Sequence, residues 1–215
     1  MPTPSSFSGV VNQRSPSRSN EGVEAEARFT RDAALVSQDW RFALAMEGRA
    51  YVVNYGTPGS VITGATSITA AQPLINLDIP TNTSVIPVMF NITATAASGT
   101  VTNLLLRGAT NLVGAGTSSG ATVTPTNTNQ NSGNTSACTA RQAYSANGTA
   151  PTGVFDLFTY NMLAASASPS SAIWMPVVPM VLVGPASING YTTATTTAPN
   201  IVAQLWYIEL PSTAI

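Results

Sequence analysis

From residue 51 onward the apolar positions recur with a period of two. "LINLDIP" sets Ile75, Leu77 and Ile79 against Leu74, Asn76 and Asp78. "SVIPVMFNITATA" sets Val88, Phe90 and Ile92 against Met89, Asn91 and Thr93. "PNIVAQLWYIELP" sets Val202, Gln204, Trp206 and Ile208 against Ala203, Leu205, Tyr207 and Glu209. That is the period of a strand with one buried face. Shorter runs, "AYVVNY", "GTVTNLLLRG", "GVFDLFTYN", "IWMPVVP" and "MVLVG", are β-branched or aromatic and are bounded by Gly, Pro, Asn and Ser clusters. About eight strands result, enough for two packed sheets. The expected class is all-β, a jelly-roll-like β-sandwich. Helical periodicity is missing after residue 50, and no fixed-length repeat suggests a solenoid or propeller.

Before residue 51 the pattern changes. The first twenty residues are mostly Ser, Pro, Asn and Arg, which cannot build a core of their own. Val36, Trp40 and Leu44 fall at i, i+4 and i+8, the spacing of one helical face. Phe42, Leu44 and Met46 alternate as in a strand. The reading adopted is a helical turn or irregular segment to about Trp40, then extended chain, with Trp40 and Phe42 packing into the core. The chain thus divides into an extended, partly helical N-terminal arm over residues 1–50 and a sandwich body over residues 51–215.

Charge sharpens the division. Of eight basic and nine acidic residues, only Asp78, Arg107, Arg141, Asp156 and Glu209 lie after residue 50. Charged residues make up 8% of the chain against a typical quarter. The arm's Arg14, Arg18, Arg28, Arg31 and Arg41, with Trp40, are candidates for attachment. Guanidinium groups make charge-assisted, often bidentate pairs, and binding would supply the cost of ordering the arm. The net charge of −1 and the absence of a basic stripe point away from nucleic acid. The longest apolar run, "AIWMPVVPMVLV", is too short for a membrane span and carries Pro176 and Pro179. The N-terminus lacks the continuous apolar core of a signal peptide, so synthesis in a cytoplasm is expected.

Residues 108–152 are rich in Gly, Thr, Asn and Ser. They read as one long, outward-facing excursion between strands, with a minor hairpin around "GATVTP". Their hydroxyls and amides can order a loop without charge. So long a loop in a compact domain is usually functional or disordered.

The chemistry of enzymes is hard to place. With no histidine, neither a Ser-His-Asp nor a Cys-His arrangement is available. Cys138 is the sole cysteine, which excludes an intrachain disulfide and a Cys-based zinc site within one chain. Asp78, Asp156 and Glu209 each sit in an apolar strand, where a solvent-facing position or an arginine partner is the expected role. "GAGTSSG" lacks the lysine and following helix of a phosphate loop, and "NTNQNSGN" offers calcium only neutral amides. No catalytic, cofactor-binding or metal-ligating residue is assigned, and the expectation is a protein that is not an enzyme.

The order "LAMEGRAYVVNYGTPGSVI", "LDIPTNTSVIPVMFNIT" and terminal "AQLWYIELPS" resembles small virion proteins of tailed bacteriophages, of the jelly-roll capsid decoration or head-fibre type. The resemblance covers about a third of the chain and is one of pattern. It implies a homotrimer on the particle exterior, made in the host cytoplasm and attached to the major capsid protein or another virion protein. It implies no cofactor, nucleic acid or membrane partner. The alternative within the same resemblance is a receptor-binding fibre or tail-associated spike module, whose 108–152 loop grips a host surface glycan. A shell subunit is a weaker third, because the arm is balanced in charge where a genome-packaging arm is often basic.

Overall fold

The computed structural model describes residues 39–96, 101–114, 120–145, 147–163, 170–194 and 197–212. One helix, α1 (Trp40–Met46), precedes thirteen strands among the described residues. In chain order they are β1 (Ala50–Tyr55), β2 (Ile62–Thr63), β3 (Ile75–Ile79), β4 (Thr83–Ala96), β5 (Val101–Ala109), β6 (Ala121–Val123), β7 (Thr126–Asn127), β8 (Thr139–Gln142), β9 (Phe155–Leu163), β10 (Ser170–Trp174), β11 (Leu182–Val183), β12 (Ala186–Ala194) and β13 (Asn200–Pro211).

These strands form two antiparallel sheets. The first runs β10-β4-β13-β1-β7, with β11 also on β4 and β2 on β13; the second runs β6-β8-β3-β12-β5-β9. Eight strands have five residues or more. Numbered one to eight along the chain, they lie in the orders 6-3-8-1 and 2-7-4-5. Each sheet therefore takes strands from both ends of the chain, the crossover pattern of a jelly roll with two Greek keys. The fold expectation holds.

The alternation read in the sequence matches alternating burial along most of β13 and the second half of β4, whereas β3 is buried on both faces. Ile75, Leu77 and Ile79 meet Phe90, Ile92, Ala203, Leu205 and Tyr207 in the main core between the sheets. Tyr55 is fully buried there, and its hydroxyl donates to the Asn76 carbonyl at 3.0 Å, tying one sheet to the other. Because a buried phenol costs free energy unless hydrogen-bonded, this partner is part of the core's design.

Two segments differ from expectation. Residues 40–46 are helical, not extended. Asp39 caps the helix by accepting from the Arg41 amide at 2.8 Å. The helix ends at Gly48, whose φ of 72° lies in the left-handed region. There the Gly48 amide donates to the Ala45 carbonyl and the Arg49 amide to the Leu44 carbonyl, both at 2.9 Å, which is the Schellman closure. Leu44 faces inward onto Ile86, Ile208 and Leu210. Helical spacing turns Phe42 away from Leu44, and it is 58% exposed; Trp40 shares the Leu44 face but stands at the helix start and is also exposed, so neither ring is a core residue. The second segment is "IWMPVVPMVLV". Only Ser170–Trp174 and Leu182–Val183 within and around it pair as strands, and both pair with β4.

The polar excursion between β5 and β9 carries β6, β7 and β8. β7 extends the first sheet beyond β1, while β8 and β6 extend the second beyond β3. The insertion therefore covers the edges of both sheets on one side of the sandwich. Its segments also cover Asn76 and Asp78 on the outer face of β3.

Candidate assembly surface

The opposite end of the first sheet is built differently. β4 pairs with β10 from Phe90 to Ala94 and with β11 only at Ser84 and Val85. Between these stretches lies Pro87, which has no amide hydrogen to donate. On the β13 side the register also shifts, between Trp206 and Tyr207. Residues 175–181 span this gap, leaving β4 after β10 and returning at β11. Trp40 and Arg41 of α1, Ile86, Pro87 and Val88 of β4, and Pro176, Val177 and Pro179 line a groove of about 160 Å³.

The spanning strip is apolar and outward. Ile173 is 59% exposed, Met175 62%, Val177 100% and Val178 73%, and Val181 and Val183 are also exposed. Its two ends are fixed by inward side chains, Ala172 and Leu182, both buried. Pro176 and Pro179 restrict the backbone between them. No charged residue occurs from Leu157 to Ile208.

Of the attachment residues expected from the sequence, Arg14, Arg18, Arg28 and Arg31 lie outside the described residues. Trp40 and Arg41 are brought together at the groove. The Arg41 side chain donates to Asp39 from Nε at 3.2 Å and from Nη2 at 2.9 Å, with its guanidinium carbon 6.0 Å from the centre of the Trp40 ring. The side-chain hydrogen bond from Arg41 also holds the Asp39 carboxyl below its ordinary pKa. Arg41 is thus paired within its own chain. What this corner offers a partner is apolar surface around a neutralised charge.

The asparagines of the insertion serve the helix. The Asn129 side-chain amide donates to the Met46 carbonyl at 2.9 Å, and that of Asn134 to the Glu47 carbonyl at 3.1 Å. Asn127 donates to the Gly48 carbonyl at 2.8 Å. These carbonyls lie at the helix end, where intrahelical donors run out. Neutral amides satisfy them with no charge to desolvate.

The body's carboxylates are engaged as well. Asp78 accepts from the Val113 and Gly114 amides, both at 2.9 Å, and from the Arg141 guanidinium and the Asn76 amide, both at 3.1 Å. Asp156 pairs with Arg107 at 2.7 Å. Glu209 accepts from the Ser136 hydroxyl at 2.6 Å and the Ala137 amide at 3.0 Å. Asp78 and Asp156 have the arginine partners expected of them; Glu209 is instead a latch for the insertion. Burial, reinforced by the Glu209 charge, pushes the Cys138 thiol far above its usual range. A thiol held protonated is a poor nucleophile.

A polar cleft of about 510 Å³ lies where the insertion meets β1 and β13, lined by Arg49, Asn82, Asn134, Thr135 and Glu209 among others. Among the described residues no group of three His, Cys, Asp or Glu side chains could hold a metal ion, and no helix is long and apolar enough to cross a membrane. The sequence did not foretell the exposure of residues 173–183, because strand-like apolar runs normally signal burial. The one available signal was Pro176 and Pro179, which disfavour a regular paired strand. Comparison of the chain with protein-family models, with curated proteins and with solved structures finds no match.

Proposed function

We propose that the chain is a non-enzymatic virion structural protein, a decoration or cement protein held on a phage head through its N-terminal arm and acting as a homotrimer. The observation that carries this reading is the groove at Trp40. The arginine-bearing N-terminal sequence precedes an exposed, largely apolar corner built from α1, β4 and residues 176–179, whose charged side chain, Arg41, is paired with Asp39. A tether with a greasy landing at its root suits attachment to a large neighbour. The low charge of the body supports the same reading, since surface free of charge is buried in an assembly at little desolvation cost.

Reconstitution tests it. Full-length chain and a chain beginning at Asp39 are mixed with heads stripped of the protein, and bound copies are counted by sedimentation and electron microscopy. Strong binding by the full chain and weak binding by the truncated one are expected. Equal binding would place the anchor in the body. Closed shells formed by the chain alone would make it a shell subunit.

The polar cleft favours a second reading, a receptor-binding module that takes a host glycan. Arg49, Asn82, Asn134 and Thr135 provide the mixture of donors and acceptors that sugar hydroxyls use. Labelling on tail fibres, with glycan binding lost in Asn82→Ala, would establish that alternative.

A further inference from the structure

We infer that Asn147–Gly148 is a site of spontaneous backbone modification, a succinimide-forming pair whose rate is set by the clasp that Ala71, Gln72 and Val113 place on it. This chemistry is independent of how the chain assembles.

Asparagine precedes glycine twice in the chain, at 147–148 and at 189–190. In such a pair the glycine nitrogen is unhindered by a side chain and its backbone is permissive, so it can reach the asparagine Cγ. The Gly148 nitrogen gives its proton to a solvent base and bonds to Cγ of Asn147. The Cγ–Nδ2 bond breaks, and ammonia leaves with a proton from water. The five-membered succinimide then takes up water. Breaking its bond from nitrogen to Cγ yields aspartate, and breaking its bond from nitrogen to the main-chain carbonyl carbon yields isoaspartate. Either product carries a new carboxylate, and neither oxidant nor reductant is consumed.

The fold requires glycine at this position. A Cβ on residue 148 would stand 2.7 Å from Val113 Cγ1, 2.9 Å from the Val113 carbonyl oxygen and 3.3 Å from the Tyr144 ring. The labile pair is thus a consequence of close packing, and the same packing restrains it. The Gly148 amide donates to the Ala71 carbonyl at 2.8 Å, so the attacking nitrogen is occupied. The Thr149 amide donates to the Val113 carbonyl, also at 2.8 Å. The Asn147 side-chain oxygen accepts from Gln72 Nε2 at 3.1 Å, which ties the reacting amide to the turn at residues 69–72. That turn is itself anchored: the Gln72 amide donates to the Thr69 carbonyl at 2.9 Å, and the Tyr191 hydroxyl donates to the Ala70 carbonyl at 2.7 Å. Attack requires the Gly148 bond to open and Asn147 to leave Gln72. The rate therefore follows the population of that local opening.

The second pair is held by the whole sandwich. Asn147 is exposed, so water reaches it for the hydrolytic step. Asn189 is fully buried; its side chain donates to Ser187 at 2.9 Å and accepts from Asn76 at 3.0 Å. Gly190 lies on β12, paired with β3 on one side and β5 on the other. Local opening at the end of the insertion frees the first pair, whereas the second is freed only by unfolding. Isoaspartate also adds a methylene to the main chain, so the Gly148 and Thr149 bonds cannot both keep their present register.

The test incubates the full chain at mildly alkaline pH and follows amide-to-acid conversion by chymotryptic mapping and mass spectrometry. Tyr144 and Phe155 bracket the first pair and separate it from the second. In native protein Asn147 is expected to convert first, with Asn189 unchanged. Unfolding in guanidinium chloride removes the Ala71 and Gln72 bonds together and should speed Asn147 roughly thirtyfold, the combined effect of two neutral hydrogen bonds. Gln72→Ala removes one of them and should speed native Asn147 about fivefold. Native Asn147 converting as fast as the unfolded chain overturns the inference, as does Asn189 converting before Asn147 or a Gln72→Ala rate equal to that of the wild type. Should Gln72→Ala fail to fold, the wild type decides: protection of Asn147 from conversion must agree with protection of the Gly148 amide from hydrogen exchange, and a mismatch beyond roughly tenfold overturns the clasp.

Discussion

Asp78→Ala is the sharpest probe of how the insertion is held to the sandwich. The Asp78 side chain is 7% exposed and its partner Arg141 17%. Removing the carboxylate deletes the acceptor for the Val113 and Gly114 amides, for Asn76 and for Arg141. Val113 is fully buried, so its amide has no route to water. Arg141 is left as an uncompensated, largely buried charge. Breaking a buried pair in this way costs about 3–5 kcal/mol. For a chain of this length that corresponds to a fall in Tm of about 6–20 °C, at about 2–4 °C per kcal/mol. Calorimetry measures the fall, and amide hydrogen exchange at Val113 and Gly114 locates it. A double-mutant cycle with Arg141→Met checks the mechanism. Most of the cost is attributed to the stranded guanidinium, so the double variant should be more stable than Asp78→Ala alone. A loss below about 1 kcal/mol, the scale of an exposed ion pair, would refute the reasoning. So would a double variant less stable than the single one.

Four further outcomes are expected. Gly48→Ala forces alanine into the left-handed region and brings its Cβ against Ser132, so it should destabilise by about 1–2 kcal/mol in denaturant titrations. Gly59→Ala, whose Cβ meets nothing, should stay within about 0.5 kcal/mol. Cys138 should react with a thiol reagent at pH 8 only after unfolding, since burial first and the Glu209 charge second keep it protonated; rapid labelling of native protein would contradict its environment. Tyr144 and Tyr191 are pushed up to about 12, in both cases chiefly by burial. Below about pH 10 these phenols are protonated in both the folded and unfolded states. Above it the unfolded chain loses protons that the folded chain keeps. Stability should therefore decline as pH rises from about 10 through 12, followed by tyrosinate absorbance and calorimetry together.

The sequence and the structure part company most clearly within residues 172–194. "AIWMPVVPMVLV" reads as two short strands, and "ASINGYTTA" gives no strand signal. The structure nearly inverts this. Most of the apolar run stands in water, while β12 is buried at every position but Thr193 and occupies the middle of the second sheet. The cause lies in the layers around each segment. β12 sends Ile188 into the main core, and its outward side chains meet a covered polar layer instead of solvent. Asn189 donates to Ser187 and accepts from Asn76, and Asn76 in turn donates to Asp78. Each polar group is buried with a partner, so its desolvation is offset. Periodicity carries no record of such a layer, because the cover comes from Val113, Gly114, Arg141 and Tyr144 of an insertion distant in the chain.

The strands with one wet or lightly covered face, β1, β4 and β13, were legible for the converse reason: each carries its own contrast between inside and outside. α1 was half legible, since the spacing of Trp40 and Leu44 was read but the Gly48 closure that fixes its end was not. Burial in this protein is thus set by the layers packed on each segment, and a strand-by-strand reading of the isolated chain misplaces both residues 172–183 and β12 for that single physical reason.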